Sequence, residues 1–381
     1  MGDPLFALDL FRPSLCLLLM SAVIPQLERL HIEVTNVCNF KCEFCPDGIM
    51  QRRRGHMEPA LLEQILEEVA ATGLARVMAF HLMGEPLLYP YLFEGICRAA
   101  ELGLRLHLTS NGSTFALWPE HIEKLNRSPF AKLTISLQTP DPVTFSIRGA
   151  PPRLTPERYF AGITQFLQVH LRSSSPTQVH LKFLDTSPHP FLVPHKALSV
   201  IDSAQQMRAQ LSAWARRALQ GIPDAPALDW VEAQIATYRP GRWQQIRIHP
   251  RLVLETFPLD SWGNVETDRV IPARWGYCNG ASGQAGILYD GTVVPCCKDY
   301  EGQIPLGQVT LGGSLAEILR GQPACALRRG FNRLQVNHPV CQRCMGGDTC
   351  IKALARQVGS VVYFKVYRPW KQRLDPGWGQ V

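Results

Sequence analysis

Three cysteines, Cys38, Cys42 and Cys45, stand at C-x3-C-x2-C spacing within Val37-Cys38-Asn39-Phe40-Lys41-Cys42-Glu43-Phe44-Cys45. Three thiolates on one short loop can hold three corners of a cubane iron–sulfur cluster, which takes four cysteines when fully ligated. One iron is then left open to a substrate or cosubstrate. Zinc at the same loop requires a fourth ligand from elsewhere, and zinc sites usually begin with C-x2-C. A second set lies far along the chain: Cys278, then Gly291 and Cys296, then the pair Cys341-x2-Cys344. Four thiolates converging from two separated segments make a closed site for either a 4Fe–4S cluster or a structural zinc, and spacing alone does not choose between them.

The elements that must carry these residues read as strands alternating with helices. A strand at 29–34 feeds the cysteine loop. Pro59 opens a helix whose Leu62, Ile65, Leu66 and Val69 recur at helical spacing, with Gly73 as its stop. Further strands are expected at 76–82, 104–109, 132–137, 179–184 and 245–254. Helices are expected between them at 91–102, 121–125, from the N-cap Thr155 to 171, and at 204–219 and 228–238. Six such units imply a parallel sheet in an open partial (β/α)6 TIM-like barrel, with chemistry at the carboxyl ends of its strands. Near residue 258, Pro258, Trp262-Gly263 and Pro272 break the pattern. A small cysteine-rich domain with a hairpin at 285–294 and a short helix at 315–319 is expected to follow. The expected divisions are an apolar helix or extension at 1–27, the barrel at 28–257, the cysteine-rich domain at 258–356 and a tail at 357–381, whose run 361–367 is strand-like.

The totals fit a globular enzyme. Hydrophobic residues make up 46% of the 381 and charged residues 19%, which excludes disorder throughout, while 30 prolines and 29 glycines supply many breaks. The net charge of +7 is modest, and basic residues are not interleaved with aromatics, so no nucleic-acid stripe is expected. Arg52-Arg53-Arg54 reads as a solvated loop rather than an anion site. Twelve cysteines grouped in C-x2-C pairs in a chain of this length point to metal rather than disulfides, and so to reducing cytosol. The apolar run 15–24 is too short to span a bilayer.

At the motifs the resemblance becomes specific. Cys38, Cys42 and Cys45, with the aromatic Phe44 just before the last, resemble the signature of the radical S-adenosylmethionine (SAM) superfamily, as does the preceding Glu33-Val34-Thr35-Asn36. The resemblance implies that the open iron chelates SAM and that its cleavage gives a 5′-deoxyadenosyl radical. Met83-Gly84-Glu85-Pro86 resembles the family's GGEP motif, with Met83 in place of the first glycine. By the same resemblance Gly84 and Glu85 face the SAM amino group, and Asn111, Ser136 and Arg148 face SAM. The second cysteine set is similar to the SPASM/twitch extension of these enzymes. Because no cysteine follows Cys350, the resemblance implies one auxiliary 4Fe–4S cluster on Cys278, Cys296, Cys341 and Cys344, leaving Cys297 and Cys350 spare.

The resemblance implies an oxidoreductase or maturase acting on a peptide or a sugar or aminocyclitol, fed by a flavodoxin- or ferredoxin-type donor, without nucleic acid and without a stable membrane span. Asp299 is a candidate acid or base beside the auxiliary cluster, against the commoner reading of a turn aspartate. His31 and His81 read as packed strand residues. The alternatives are a redox-neutral epimerase, with Cys350 or Cys297 returning hydrogen, and a scaffold with zinc at both cysteine sets.

Overall fold

The computed structural model describes residues 26–188, 198–259, 261–264 and 267–374; the apolar run at 15–24, Cys16 and the last residues of the tail lie outside these. One ten-stranded sheet organises the chain, in the order β10-β9-β8-β1-β2-β3-β4-β5-β7-β6. The strands are β1 Arg29–Ile32, β2 Met78–Phe80, β3 Leu106–Ser110, β4 Lys132–Gln138, β5 Gln178–Asp185, β6 Gln244–His249, β7 Leu252–Pro258, β8 Gln284–Ile287, β9 Thr292–Val294 and β10 Gly307–Gln308. The neighbours β1 to β5 and then β7 pair in parallel. These are the six parallel strands of the expected open barrel, and the sheet does not close.

Alternation fixes which side chains face the helices. Leu30 and Ile32, Met78 and Phe80, Leu106 and Leu108, Leu133 and Ile135, and Val179 and Leu181 are all buried in one core with the outer helices. The helix Pro59–Thr72 sets Leu62, Ile65, Leu66 and Val69 into that core, and it ends at Gly73, whose φ of 61° is the left-handed cap glycine tolerates. The Thr155 side chain caps the helix Pro156–Arg172 by accepting from the Arg158 N–H.

Three expectations change. The single strand expected at 245–254 is a hairpin: β6 pairs antiparallel with β7 around Pro250-Arg251, and only β7 joins β5. Because both arms are apolar enough to read as one run, periodicity did not reveal the turn. The sheet also passes through the break near residue 258, since β8 pairs in parallel with β1 and β9 and β10 follow it. Lastly, the strand-like run at 361–367 is helical, continuing the helix Cys350–Val361 through a π-helical stretch, Val362–Tyr367, into Arg368–Leu374. Valines and aromatics favour strands in isolation, but here the preceding helix is anchored through buried Ala353 and Gln357, and tertiary context prevails. Among the described residues no helix is long and apolar enough to cross a membrane.

Candidate active site

The cysteine loop leaves the carboxyl end of β1 and is held by the loops that follow β2 and β4. The Glu85 N–H donates to Val37 O at 2.8 Å, the Lys41 N–H to Arg148 O at 3.0 Å, and the Glu43 N–H to Ile147 O at 2.9 Å. Gly84 makes the first junction possible. Its φ is 75°, and a Cβ there would lie 2.4 Å from Thr35 O and 2.8 Å from Asn36 Cα. Only a residue without a side chain allows so close an approach, so the Met83 substitution leaves the essential glycine in place.

Cys38, Cys42 and Cys45 are half-buried against the core and outside any disulfide. Burial pushes all three thiols up, Cys38 to about 12; neighbouring thiols of the set raise Cys38 and Cys45 further, while Arg148 opposes the rise at Cys42. Three mutually repelling sulfurs in a dry loop suit a cation that replaces their protons. The donor set fits a cluster held at three corners.

Around them stand the other predicted residues. Glu85 is 1% exposed, and burial raises its carboxyl to about 7 despite hydrogen bonds from backbone N–H groups. Its Oε2 accepts from the Asn111 N–H at 2.5 Å and its Oε1 from the Leu87 N–H at 3.1 Å. The Asn111 side chain donates to Asn39 Oδ1 at 3.0 Å and reaches Cys38 Sγ at 3.8 Å. Arg148 is fully buried, with its guanidinium over the rings of Phe40 at 4.7 Å and Phe44 at 5.8 Å. Its Nη1 donates to the carbonyls of Ser136 at 2.8 Å and Leu137 at 2.7 Å, at a β4 end where Gln138 takes a φ of 58°. Arg148 Nε is buried without a hydrogen-bond partner. A buried cation beside three thiols, with one donor left over, favours an anionic cluster next to it. Ser136 contributes its carbonyl to this network.

The second cysteine set also comes together. Cys278, Cys296, Cys341 and Cys344 line one cavity of about 100 Å³ with Trp262, Asp299 and Tyr300. Burial pushes the Cys278 thiol up to about 11 and raises Cys296 and Cys341 as well. Gly263, with a φ of 76°, brings its backbone against Cys344, where a Cβ would lie 3.2 Å from Sγ. Four sulfurs facing one small space fit a fully ligated cluster. Cys297 lies outside that lining and packs with Cys45 and Trp262 against a small apolar cluster around Leu82 and Tyr300. Cys350 is exposed at the start of its helix. Both oxygens of Asp299 accept from the loop's own amides, Oδ1 from Gln303 N and Oδ2 from Ile304 N, each at 2.8 Å. That is the work a turn aspartate does, and the residue also lines the cavity of the second cysteine set.

The arginine run is not a solvated loop throughout, since two of its three side chains are engaged. Arg52 makes a bidentate pair with buried Glu33 at 2.8 and 2.6 Å and donates to Tyr300 O, while Arg54 and Lys41 both pair with buried Asp47. Only Arg53 is exposed as a solvated loop requires. Two further residues escaped sequence reasoning. The Tyr159 hydroxyl donates to Asn111 O at 2.7 Å, and the Trp262 indole donates to Phe44 O at 3.0 Å. For Trp262 the one available signal was a tryptophan-glycine pair just ahead of the second cysteine set.

The family model for the radical SAM superfamily matches residues 32–180, and that of an iron–sulfur cluster-binding domain, SPASM, matches residues 278–345. The S-adenosyl-L-methionine-dependent 2-deoxy-scyllo-inosamine dehydrogenase of Niallia circulans is 37% identical over 60 residues, 16% of this chain and 24% of that protein. The AdoMet-dependent heme synthase of Methanosarcina barkeri is 31% identical over 133 residues, 34% of this chain and 36% of that one. The chain thus matches about a quarter to a third of the length of these curated relatives. The crystal structure of Streptococcus suis SuiB bound to S-adenosylmethionine aligns with a TM-score of 0.53 at 15% identity, over 83% of this chain and 71% of SuiB, a likeness of fold. With two cysteine sites gathered at the two matched regions, the chain belongs to the radical SAM superfamily, as an enzyme with a SPASM region that works with 4Fe–4S clusters and SAM.

Proposed function

We propose that this enzyme takes a hydrogen atom from a peptide or from a sugar or aminocyclitol and oxidises the resulting carbon radical by passing one electron to the auxiliary cluster. The observation that carries this reading is that Cys45 of the open triplet packs against an apolar cluster whose Tyr300, and the Trp262 packed on it, also line the cavity of the quartet. An electron acceptor so near the radical site favours net oxidation.

In this reading Cys38, Cys42 and Cys45 hold three corners of the first cluster, and Cys278, Cys296, Cys341 and Cys344 hold the second. When bound, the reduced first cluster and SAM supply a 5′-deoxyadenosyl radical able to attack an unactivated C–H bond. Glu85 in its ionised form receives the SAM ammonium, and the Gly84 backbone sets the distance of that loop. Asn111 and Ser136 border the SAM site from the ends of β3 and β4. Arg148 balances negative charge beneath Phe40 and Phe44. A flavodoxin- or ferredoxin-type protein is the electron donor. The chain divides functionally into the barrel at 28–257, the auxiliary cluster region at 258–356, and terminal segments at 1–27 and 357–381.

The 2-deoxy-scyllo-inosamine dehydrogenase is named for an aminocyclitol, and another SuiB structure holds the precursor peptide SuiA, so both substrate branches stay within this proposal. Product analysis in deuterated water tests it. Product lighter than substrate by one pair of hydrogens, without solvent deuterium at the reacting carbon, is expected. Unchanged composition with one solvent deuterium there would contradict net oxidation and point to epimerisation, with Cys297 or Cys350 as hydrogen donor. The match to an iron–sulfur cluster-binding domain at the second cysteine set disfavours the zinc scaffold.

A further inference from the structure

The inner face of a parallel barrel is ordinarily filled by layers of Val, Ile and Leu. Here the strands give their apolar side chains to the helices, and the alternate positions are polar: Arg29 and His31 on β1, His107 on β3, Lys132 and Thr134 on β4, His180 and Lys182 on β5, and Glu255 on β7. Register places them at neighbouring heights, with His31 beside Ala79, Ala79 beside His107, His107 beside Lys132, Thr134 beside His180, and Lys182 beside Glu255. The ring of His81 adds to the group, 6.1 Å from that of His31.

Charge on this face does not balance. Glu255 is already engaged, by His180 Nδ1 at 2.8 Å and Lys182 Nζ at 3.7 Å, and Glu33 is engaged by Arg52. Neither the Arg29 nor the Lys132 side chain has a hydrogen bond or ion pair among the described residues, although Lys132 is only 8% exposed. Two imidazole nitrogens are also left over. His31 Nδ1 and His107 Nε2 are buried with no hydrogen-bond partner, on residues that are each 5% exposed. Buried cations and buried polar atoms without partners are costly, and a site that collects both has a ligand to satisfy them.

We infer that the inner face, at the amino ends of β1, β3 and β4, binds an oxyanion of the substrate, a carboxylate or a phosphate, through Arg29 and Lys132, with His31 and His107 completing its hydrogen bonds. The site rests on the proposed function only in assigning the anion to the substrate. The four residue steps from Lys132 to Ser136 span about 13 Å of strand, so the substrate carries its anion roughly that far from the carbon attacked near the cysteine loop.

Lys132 also gives the site a pH signature. Burial, together with Arg29, Lys182 and Arg105 and against the opposing Glu255, lowers its ammonium to about 8, while His107 and His180 face it with pKa values lowered by burial. Only the protonated lysine attracts the anion, so affinity falls as pH rises through this value.

Calorimetric titration of the anaerobically reconstituted full chain with inorganic phosphate, and separately with succinate, tests the site. Binding of at least one is expected, weakened about tenfold or more by Lys132→Met and by Arg29→Gln and largely kept by Lys132→Arg. Phosphate alone, or succinate alone, names the source of the anion. A wild-type chain that binds neither, or either loss variant binding like wild type with an unchanged circular dichroism spectrum, overturns the inference. Cleavage of SAM by the wild-type chain, read as 5′-deoxyadenosine in its own assay, judges the radical reading independently; anion binding without cleavage would fault that reading and leave the site standing.

Discussion

The indole N–H of Trp262, which lines the auxiliary cavity, donates to the carbonyl of Phe44, which sits between two cysteines of the first loop, at 3.0 Å. Trp262 also meets Tyr300 edge-on, with ring centroids 6.4 Å apart, and Tyr300 O in turn receives Arg52. The two cysteine sites are therefore mechanically joined. Trp262→Phe keeps a ring but loses the donor, at a cost of about 1 kcal/mol. Hydrogen exchange at the backbone of residues 42–45 is expected to speed up, and unchanged protection would show that the contact is incidental.

Gly84→Ala is expected to be far more disruptive than its size suggests. The new methyl would meet the Thr35 carbonyl and the Asn36 backbone in a left-handed conformation, costing about 3 kcal/mol. Denaturant unfolding measures the loss. Gly48, with nothing near its missing Cβ, is the control position where Ala is tolerated.

Glu85 titrates near 7 in the folded chain because it is buried, against a usual value of 4.5. A carboxyl raised on folding stabilises the folded state most fully below its unfolded value, and that contribution is lost as pH rises through the folded one. In the absence of SAM, stability is expected to fall between about pH 4.5 and about pH 7, by up to about 3 kcal/mol from this group. Glu85→Gln should flatten that part of the pH profile of urea unfolding; an unchanged slope would mean that the carboxyl ionises freely.

Arg52→Met leaves the Glu33 carboxylate buried without its cation. Loss of about 3 kcal/mol is expected in denaturant unfolding, with partial recovery on adding Glu33→Gln, because the second change removes the stranded charge.

What the sequence made legible was what short-range spacing encodes. Cysteine intervals, Pro59 with Gly73, and the Thr155 cap depend on neighbours a few residues away, and the barrel follows from their repetition. Contacts across the fold were not encoded in that way. The Arg52 pair joins positions 19 apart, and Trp262 meets Phe44 across 218, so a basic run looked solvated and a tryptophan looked like a mere break. The helical course of 361–367 was hidden for a related reason, since its local preference opposes the helix it continues. The polar inner face was present in the alternation of β3, β4 and β5, but only the register between strands shows that His107, Lys132 and His180 share one face of the sheet.

The central claim is that Cys38, Cys42 and Cys45 hold the cluster at which SAM is cleaved, separately from the quartet around Cys278. Iron content and 5′-deoxyadenosine formation should be measured together on an anaerobically reconstituted Cys38→Ala, Cys42→Ala, Cys45→Ala variant. Iron reduced to that of the auxiliary cluster, with no deoxyadenosine formed, is the predicted result; deoxyadenosine persisting in the triple variant would contradict the account.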